Sequence, residues 1–205
     1  MIRRRWLAIP VGVALAFSAA SVYAQETTQA DKDKALAYLE STKKGVLEAT
    51  KGLSEAQWNF KPAPDKWSVA ECVEHIAAAE DFIRGMDVDK VMKAPAAPGR
   101  DTAKIDAGIM AMIPDRSQKA QAPEELKPTN RFGSPEGSLK HFVESRTTTE
   151  NFLKDTSDLR AHAVDSPMGG PKLDAYEWVL FVAAHSQRHT KQIEEVKADP
   201  NFPKK

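Results

Sequence analysis

The sequence lacks the features that disulfide-stabilised, nucleic-acid-binding and phosphate-binding proteins depend on. Cys72 is its only cysteine, so no intrachain disulfide can form and stability has to come from packing. Basic and acidic side chains balance at 29 each, which leaves no positive surplus for binding nucleic acid or an anionic membrane. Alternating apolar and polar segments are missing, as are internal repeats and a glycine-rich phosphate loop. The sequence therefore predicts a helical protein with no nucleic-acid partner.

The first 24 residues have the features of an export signal. Residues 3–5 are arginines, residues 6–19 are mainly apolar, and residues 22–24 place small side chains where a signal peptidase reads them, with cleavage between Ala24 and Gln25. The apolar stretch is too short to favour a permanent transmembrane helix. Both the general secretory route and the twin-arginine route are left open. We expect a mature protein that is periplasmic or secreted and does not associate with a membrane. Removal of residues 1–24 leaves 26 basic and 29 acidic side chains, a formal charge of −3.

Apolar residues at helical spacing predict four long helices in the mature chain. Three starts carry a capping signal, at residues 68–71, 134–135 and 174–177. The predicted helices cover 31–51, 68–93, a segment that begins at 134, and a segment from 174 that ends before 200. Four amphipathic helices of about twenty residues without strands predict one all-α domain, a four-helix bundle, over 31–205, after a short linker at 25–30.

A long connection joins the second and third predicted helices. This crossover segment (residues 94–133) is rich in proline, alanine and lysine, and an apolar patch at 105–113 predicts a short helix within it. A connection of this length inside a small domain is often functional. It therefore either covers one end of the bundle as a lid or crosses the bundle without a role at the site.

The helical pattern also predicts which side chains face the core. The apolar face of the first helix consists of Leu36, Leu39, Val46 and Leu47. On the second helix, Glu74 and Glu80 are expected on the solvated face, and His141 on the third helix is expected to face solvent. We interpret these three polar residues as surface positions without a functional role.

Three other histidines are candidates for a metal site. His185 and His189 are four residues apart, so both lie on one face of the last helix, which is also the apolar face. His75 borders the apolar face of the second helix. Three imidazoles that project inward from facing helices can hold a divalent transition metal with a coordination position left open, but histidines in such places also serve as hydrogen-bonded core residues. Because His185 is followed by Ser186 rather than glutamate, the pair is not a zincin motif.

The residues around these histidines resemble the DinB-like (DinB/YfiT) superfamily. The segments that carry the resemblance follow each other in the chain as Leu53–Trp58 with Lys61-Pro62, Trp67-Ser68-Val69-Ala70-Glu71-Cys72-Val73-Glu74-His75-Ile76, Ala122–Pro128, and His185-Ser-Gln-Arg188-His189-Thr-Lys-Gln192-Ile193. The second and fourth look like the family patterns W-S-x-x-E-x-x-x-H-I and H-x-x-R-H-x-x-Q-I. The resemblance covers essentially the whole mature chain.

The resemblance implies a four-helix bundle in which His75, His185 and His189 bind one divalent metal ion. Zinc is the first expectation and nickel the second, because imidazole suits both metals. The family includes presumed metal-dependent hydrolases, which we expect first, and transferases of small thiols, which remain an alternative. A third option is a non-catalytic metal-binding or interaction module. The substrate is an unknown small molecule, and a homodimer is left open.

Two residues close to His75 are candidates for supporting the metal site. Glu71 lies one turn before His75 and could orient its ring, although capping of the helix already explains a glutamate there. Cys72 could act as a fourth ligand or as a redox-active thiol, or it could pack as a small buried apolar residue. Arg188 points away from the two histidines that flank it and is expected to pair with an acidic neighbour or to lie at a subunit contact.

Overall fold

Helices account for most of the structure, a computed structural model that describes residues 26–166 and 169–204, without the side chains of residues 86 and 87. The α-helices of the described residues are α1 (Gln29–Thr50), α2 (Glu55–Asn59), α3 (Val69–Phe82), α4 (Asp89–Met92), α5 (Thr102–Met112), α6 (Pro135–Asp155) and α7 (Ala175–Lys197). A π-helical stretch, Ile83–Val88, joins α3 to α4, and a single 3-10 turn covers Glu124–Leu126. Together α3, the π-helical stretch and α4 fill the range predicted for the second long helix.

The long helices begin where local caps predict them to begin. The hydroxyl of Ser68 accepts a hydrogen bond from the backbone N–H of Glu71 (3.2 Å), and the Glu71 carboxylate accepts one from the backbone N–H of Ser68 (2.7 Å). The same reciprocal box closes over Asp174–Glu177 at the start of α7, and Ser134 caps α6. A further box at Thr28 starts α1 two residues earlier than predicted. Side-chain caps satisfy backbone donors that the first turn leaves open.

The four long helices pack as a bundle, which confirms the predicted fold. α1 packs against α7 and α6, and α3 packs against the same two helices. The order around the bundle is therefore α1, α7, α3, α6, with α1 and α3 diagonally opposite. Consequently α3 and α7, which carry the three candidate histidines, are direct neighbours.

A fully buried arginine on α6 connects all four helices. Arg146 donates to both carboxylate oxygens of Glu80 on α3 (2.6 and 2.8 Å). It also donates to the Leu39 carbonyl oxygen (2.7 Å) and the Thr42 hydroxyl (2.9 Å) on α1, and to the Ser186 hydroxyl (2.8 Å) on α7. All five N–H groups of the guanidinium thus have an acceptor. The prediction that Glu80 lies on the solvated face is wrong, because its partner comes from a helix 66 residues further along the chain.

The buried face of α1 is rotated relative to the predicted one. Leu39 and Val46 are fully buried as expected, but Leu47 is 39% exposed, whereas Thr42 is only 5% exposed. Thr42 is drawn inward because its hydroxyl accepts a hydrogen bond from Arg146. A polar partner on another helix therefore replaces part of the apolar face that the periodicity predicted.

Two smaller departures from the sequence-based expectations are local. Strands β1 (Ala163–Val164) and β2 (Leu173–Asp174) pair in antiparallel fashion just before α7, although no strand was predicted. Two-residue strands are too short to produce an alternating pattern. His141, expected to face solvent, is half-buried, because its Nε2 atom lies 2.5 Å from a carboxylate oxygen of Asp81 and its ring stacks on Phe132.

The crossover segment runs along α7. Its helix α5 forms at the predicted apolar patch and packs against α7. Arg188 donates to backbone carbonyl oxygens of residues 113, 115 and 118, and Lys191 donates to the Pro114 carbonyl oxygen (3.0 Å). Within the described chain, Arg188 therefore holds the crossover segment and makes no ion pair with an acidic side chain. The subunit contact stays a prediction.

The structure describes only part of the N-terminal region for which predictions were made. Of the predicted linker at 25–30, Gln29 and Ala30 already belong to α1. The export signal and its cleavage site at Ala24 and Gln25 lie outside the described residues and stay predictions. No helix in the described part of the chain combines the length and the apolar character needed to cross a membrane.

Candidate metal centre

Three imidazoles from two helices meet inside the bundle. His75 extends from α3, and His185 and His189 extend from successive turns of α7. The Nε2 atom of His185 lies 3.2 Å from that of His75 and 3.2 Å from that of His189. We call these three residues the histidine cluster. It is the one group of three or more histidine, cysteine or acidic side chains within residues 26–166 and 169–204 that is close enough to share a metal ion.

The outer nitrogens of two rings in the cluster are held by hydrogen bonds. Nδ1 of His75 lies 2.9 Å from the carbonyl oxygen of Leu126, and Nδ1 of His189 lies 2.9 Å from the side-chain oxygen of Gln192. Both partners are acceptors, so each Nδ1 carries the proton when the ring is neutral, and each Nε2 keeps its lone pair. These hydrogen bonds therefore select the tautomer that a metal-binding imidazole needs.

The environment keeps the cluster neutral. Burial lowers the pKa of His75 below the usual value of 6.5. Burial and the neighbouring imidazoles lower the pKa values of His185 and His189 further, well below 6.5. Neutral imidazole is the form that binds metal, so protons compete little with a metal ion at neutral pH.

The spacing of the nitrogens fits one divalent metal ion. Two nitrogens bound at about 2.1 Å to the same ion lie roughly 3.0 Å apart at a right angle and roughly 3.4 Å apart at the tetrahedral angle. The two separations of 3.2 Å in the cluster fall between these limits. All three candidate ligand atoms lie within 4.8 Å of one another. The predicted ligands are thus brought together in a geometry suited to metal coordination.

Aromatic rings border the histidine cluster on two sides. The Trp67 ring centroid lies 4.8 Å from that of His75 and 6.1 Å from that of His189. On α7, Phe181 stacks on His185 at 6.3 Å. His185 itself is only partly buried, whereas the other two histidines are at most 7% exposed. The cluster therefore lies in an apolar surrounding, and His185 is its most exposed member.

Neither candidate for supporting His75 contacts its ring nitrogens. The Glu71 carboxylate is used by the cap and by an ion pair with Lys61 (2.9 Å), and the position beside Nδ1 of His75 belongs to Leu126. Cys72 is fully buried in an apolar cluster, and burial raises the pKa of its thiol. Glu71 thus has a capping role here, and Cys72 packs as an apolar residue.

The crossover segment is fixed next to His75 by a buried carboxylate. Glu74, which we had placed on the solvated face, is 6% exposed. Its oxygens accept from the backbone N–H groups of Thr129 (2.7 Å), Asn130 (2.8 Å) and Arg131 (3.1 Å). Asn130 adopts a left-handed φ of 62°, which asparagine tolerates better than most residues and which turns the N–H groups toward one acceptor. The solvated-face prediction for Glu74 is wrong, because its partners, three backbone N–H groups and the Arg131 guanidinium, belong to a distant loop.

Sequence reasoning missed the residues that hold the cluster from outside. Leu126 acts through its backbone carbonyl, which any residue would supply, so the sequence holds no signal for it. Gln192 belongs to the segment that carries the family resemblance but was assigned no role, although its position three residues after His189, on the same helical face, indicates one. Arg116, which donates to the Gln192 side-chain oxygen (3.2 Å), lies 76 residues earlier in the chain and has no local signal.

Comparisons with known proteins agree with this architecture. The family model described as the DinB superfamily matches residues 24–193, a range that contains the whole histidine cluster. Uncharacterized protein YuaE from Bacillus subtilis is 25% identical over 150 residues, which cover 72% of this chain and 87% of YuaE.

A solved structure shares the fold at lower sequence identity. YfiT from Bacillus subtilis, described as a probable metal-dependent hydrolase with an unusual four-helix bundle topology, aligns with a TM-score of 0.55 and 17% identity. The alignment covers 86% of this chain and 91% of YfiT. The family match, the fold and the histidine cluster lead to one conclusion: the chain belongs to the DinB superfamily.

Proposed function

We propose that this protein is an exported metal-dependent hydrolase whose histidine cluster holds one divalent transition metal ion. The observation that carries the proposal is the convergence of three neutral imidazoles, two of them buried and one partly buried, with two pairs of Nε2 atoms 3.2 Å apart. The description of YfiT as a probable metal-dependent hydrolase supports the choice of reaction, since the two chains share a fold. The predicted signal at residues 1–24 supports a periplasmic or secreted location.

The ligand set favours catalysis over a purely structural role. The cluster contains three protein ligands and, among the described residues, no fourth cysteine or carboxylate. Three-ligand sites leave a position for water or substrate, whereas structural zinc sites use four protein ligands. A divalent ion held by these residues would supply a Lewis acid and would lower the pKa of a bound water to about 7.

The protein's own groups prepare the site for this chemistry. Leu126 and Gln192 hold two of the rings with the Nε2 lone pairs pointing into the cluster. Trp67 and Phe181 surround the rings with apolar groups and limit their contact with water. An apolar setting of this kind would strengthen the electrostatic interaction of an ion held there with negative charge that develops on a substrate.

Zinc is our first choice of metal and nickel the second. Imidazole binds both ions, and zinc is known to use three histidine ligands with an open fourth position. Affinity order alone favours copper and nickel, so the choice of zinc rests on its general use in such sites.

Elemental analysis of the untagged chain that starts at Gln25 tests the metal site. Wild-type protein should carry about one equivalent of a transition metal after dialysis against zinc or nickel, and His185→Ala should carry much less. His141→Ala is the matched control, because His141 is also half-buried but bonds to Asp81 outside the cluster. No metal in the wild type, or equal metal in His185→Ala, would overturn the proposal.

A substrate panel tests the reaction. Metal-loaded wild-type protein is screened against esters, amides and phosphoesters, with thiol–electrophile pairs in parallel. The proposal expects hydrolysis that disappears on chelation and in His185→Ala. Thioether formation instead of hydrolysis would favour the thiol transferase, and metal binding without turnover in any class would favour the non-catalytic module.

A further inference from the structure

The His189 ring is connected to the crossover segment through a single side-chain amide. The Gln192 side-chain oxygen accepts from Nδ1–H of His189 (2.9 Å) and from Nη1–H of Arg116 (3.2 Å). Arg116 follows α5 in the crossover segment, so this hydrogen-bond chain links a loop residue to a ring of the histidine cluster.

Arg116 is itself held in a fixed place. Its Nε and Nη2 atoms donate to the two carboxylate oxygens of Glu195, both at 2.7 Å, in a bidentate ion pair. The surrounding loop is anchored to α7 by Lys191 and Arg188 through its backbone carbonyls. A bidentate pair fixes the plane of a guanidinium, and therefore fixes where its third nitrogen points.

The orientation of the Gln192 amide decides which nitrogen of His189 carries the proton. With the oxygen toward Nδ1, the ring must donate there, and Nε2 is free to bind a metal. With the amide rotated by half a turn, its NH2 group would face Nδ1 and favour the tautomer in which Nε2 is protonated. Arg116 is a donor without acceptor capacity, so it attracts the oxygen and would repel the NH2 group of the rotated amide.

We infer that Arg116 locks the Gln192 amide and thereby sets the metal-binding tautomer of His189. Both are positioning residues, since neither contacts the proposed ion. The inference rests on the proposed function, because a metal-binding tautomer matters only if the cluster binds metal. It also assigns a role to the crossover segment, which supplies Arg116 toward one ligand and the Leu126 carbonyl toward another.

Zinc affinity in a set of variants tests whether Arg116 and Gln192 fix the tautomer of His189. Gln192→Met keeps the side-chain length but removes the acceptor, and we expect roughly 10–100-fold weaker zinc binding, the usual loss when a partner of a histidine ligand is removed. Gln192→Glu presents an oxygen in either orientation and should retain the wild-type affinity within a few-fold. Arg116→Met should weaken binding by roughly 2–10-fold, since the free amide is still correctly oriented part of the time. All variants change partly exposed side chains, so folding should be kept.

The decisive comparison places Arg116→Met in the Gln192→Glu background. A glutamate has no wrong orientation, so loss of Arg116 should then have little effect on zinc affinity. If Arg116→Met weakens binding equally in both backgrounds, Arg116 acts by docking the loop and the inference is overturned. Lys191→Met is the matched control, because it removes a loop anchor without touching Gln192.

Nitrogen-15 NMR of the metal-free histidines reads the tautomer directly. Wild-type His189 should be protonated at Nδ1, and Arg116→Met should shift it toward the Nε2-protonated form. An unchanged tautomer together with Gln192→Met affinity within about twofold of wild type would overturn the inference. Failure of the proposed function has a different signature, which is the absence of zinc binding by wild-type protein or its persistence in His185→Ala.

Discussion

Replacing Arg146 tests how much the bundle depends on its buried ion pair. Arg146→Met removes all five hydrogen bonds of the guanidinium and leaves the Glu80 carboxylate, 2% exposed, with the Thr149 hydroxyl as its remaining partner (3.1 Å). Removing one member of a buried ion pair costs about 3–5 kcal/mol, because the other charge stays buried without its counter-charge. For a domain of this size, that loss corresponds to a fall in melting temperature of roughly 6–20 °C.

Replacing both charged residues separates two contributions to the free energy of unfolding: the cost of one unpaired buried charge and the net contribution of the ion pair. Glu80→Leu with Arg146→Met should be much less destabilising than Arg146→Met alone, because an apolar pair of similar volume often substitutes for a buried ion pair. The neighbouring hydroxyls keep other acceptors, since Thr42 also bonds to the Leu39 carbonyl and Thr149 to the Ser145 carbonyl. Urea denaturation with chelator present measures both effects without a contribution from metal. A loss below about 1 kcal/mol in Arg146→Met, or a double variant that loses the sum of the two single losses, would refute this reasoning.

Further predictions concern pH, a loop anchor and a close backbone contact. As the pH falls below 6.5, these three histidines become protonated in the unfolded chain before they do in the folded, metal-free cluster, where their pKa values are lowered. The free energy of unfolding should therefore decrease as the pH falls, by up to about 4 kcal/mol per pH unit for three residues. A urea midpoint that stays constant between pH 6.5 and 5 would contradict this prediction. Glu74→Gln replaces the carboxylate that holds residues 129–131 by a neutral amide. Hydrogen exchange of the backbone amides of these residues should accelerate, and the free energy of unfolding should fall by about 1–3 kcal/mol. Gly137→Ala would place a Cβ atom 2.3 Å from the Phe132 carbonyl oxygen and should lower the melting temperature, whereas Gly108→Ala in α5 meets nothing within 4 Å and should raise it slightly.

Features that depend on neighbouring residues could be predicted from the sequence. The starts of α3, α6 and α7 follow from capping signals that span four residues or fewer, and the structure has them at those places. The alignment of His185 with His189 on one face follows from helical periodicity alone. The pairing of α3 with α7, which brings in His75, came from the family resemblance, because periodicity does not specify which helices touch.

Features that depend on distant partners could not be predicted in this way. Glu74 and Glu80 look like surface residues in the sequence, yet each is buried because its partners lie 55 to 66 positions further along the chain. Leu47 is exposed although it fits the apolar stripe of its helix, because the interior position is taken by Thr42 and the Arg146 group that bonds to it. The Leu126 carbonyl beside the histidine cluster has no sequence signal, because every residue has a backbone carbonyl.

The two halves of the histidine cluster come from parts of the chain that are synthesised far apart in time. His75 and His185 are separated by 110 residues, so an ion bound to both would connect two distant parts of the chain. An ion that binds the folded site but not the unfolded chain would stabilise the fold by about 2.7 kcal/mol at a free concentration 100 times its dissociation constant. The three histidines come together only once α7 has docked against α3, so a metal ion would be bound late in folding. Which ion was bound would depend on the ions available in the compartment where folding finishes.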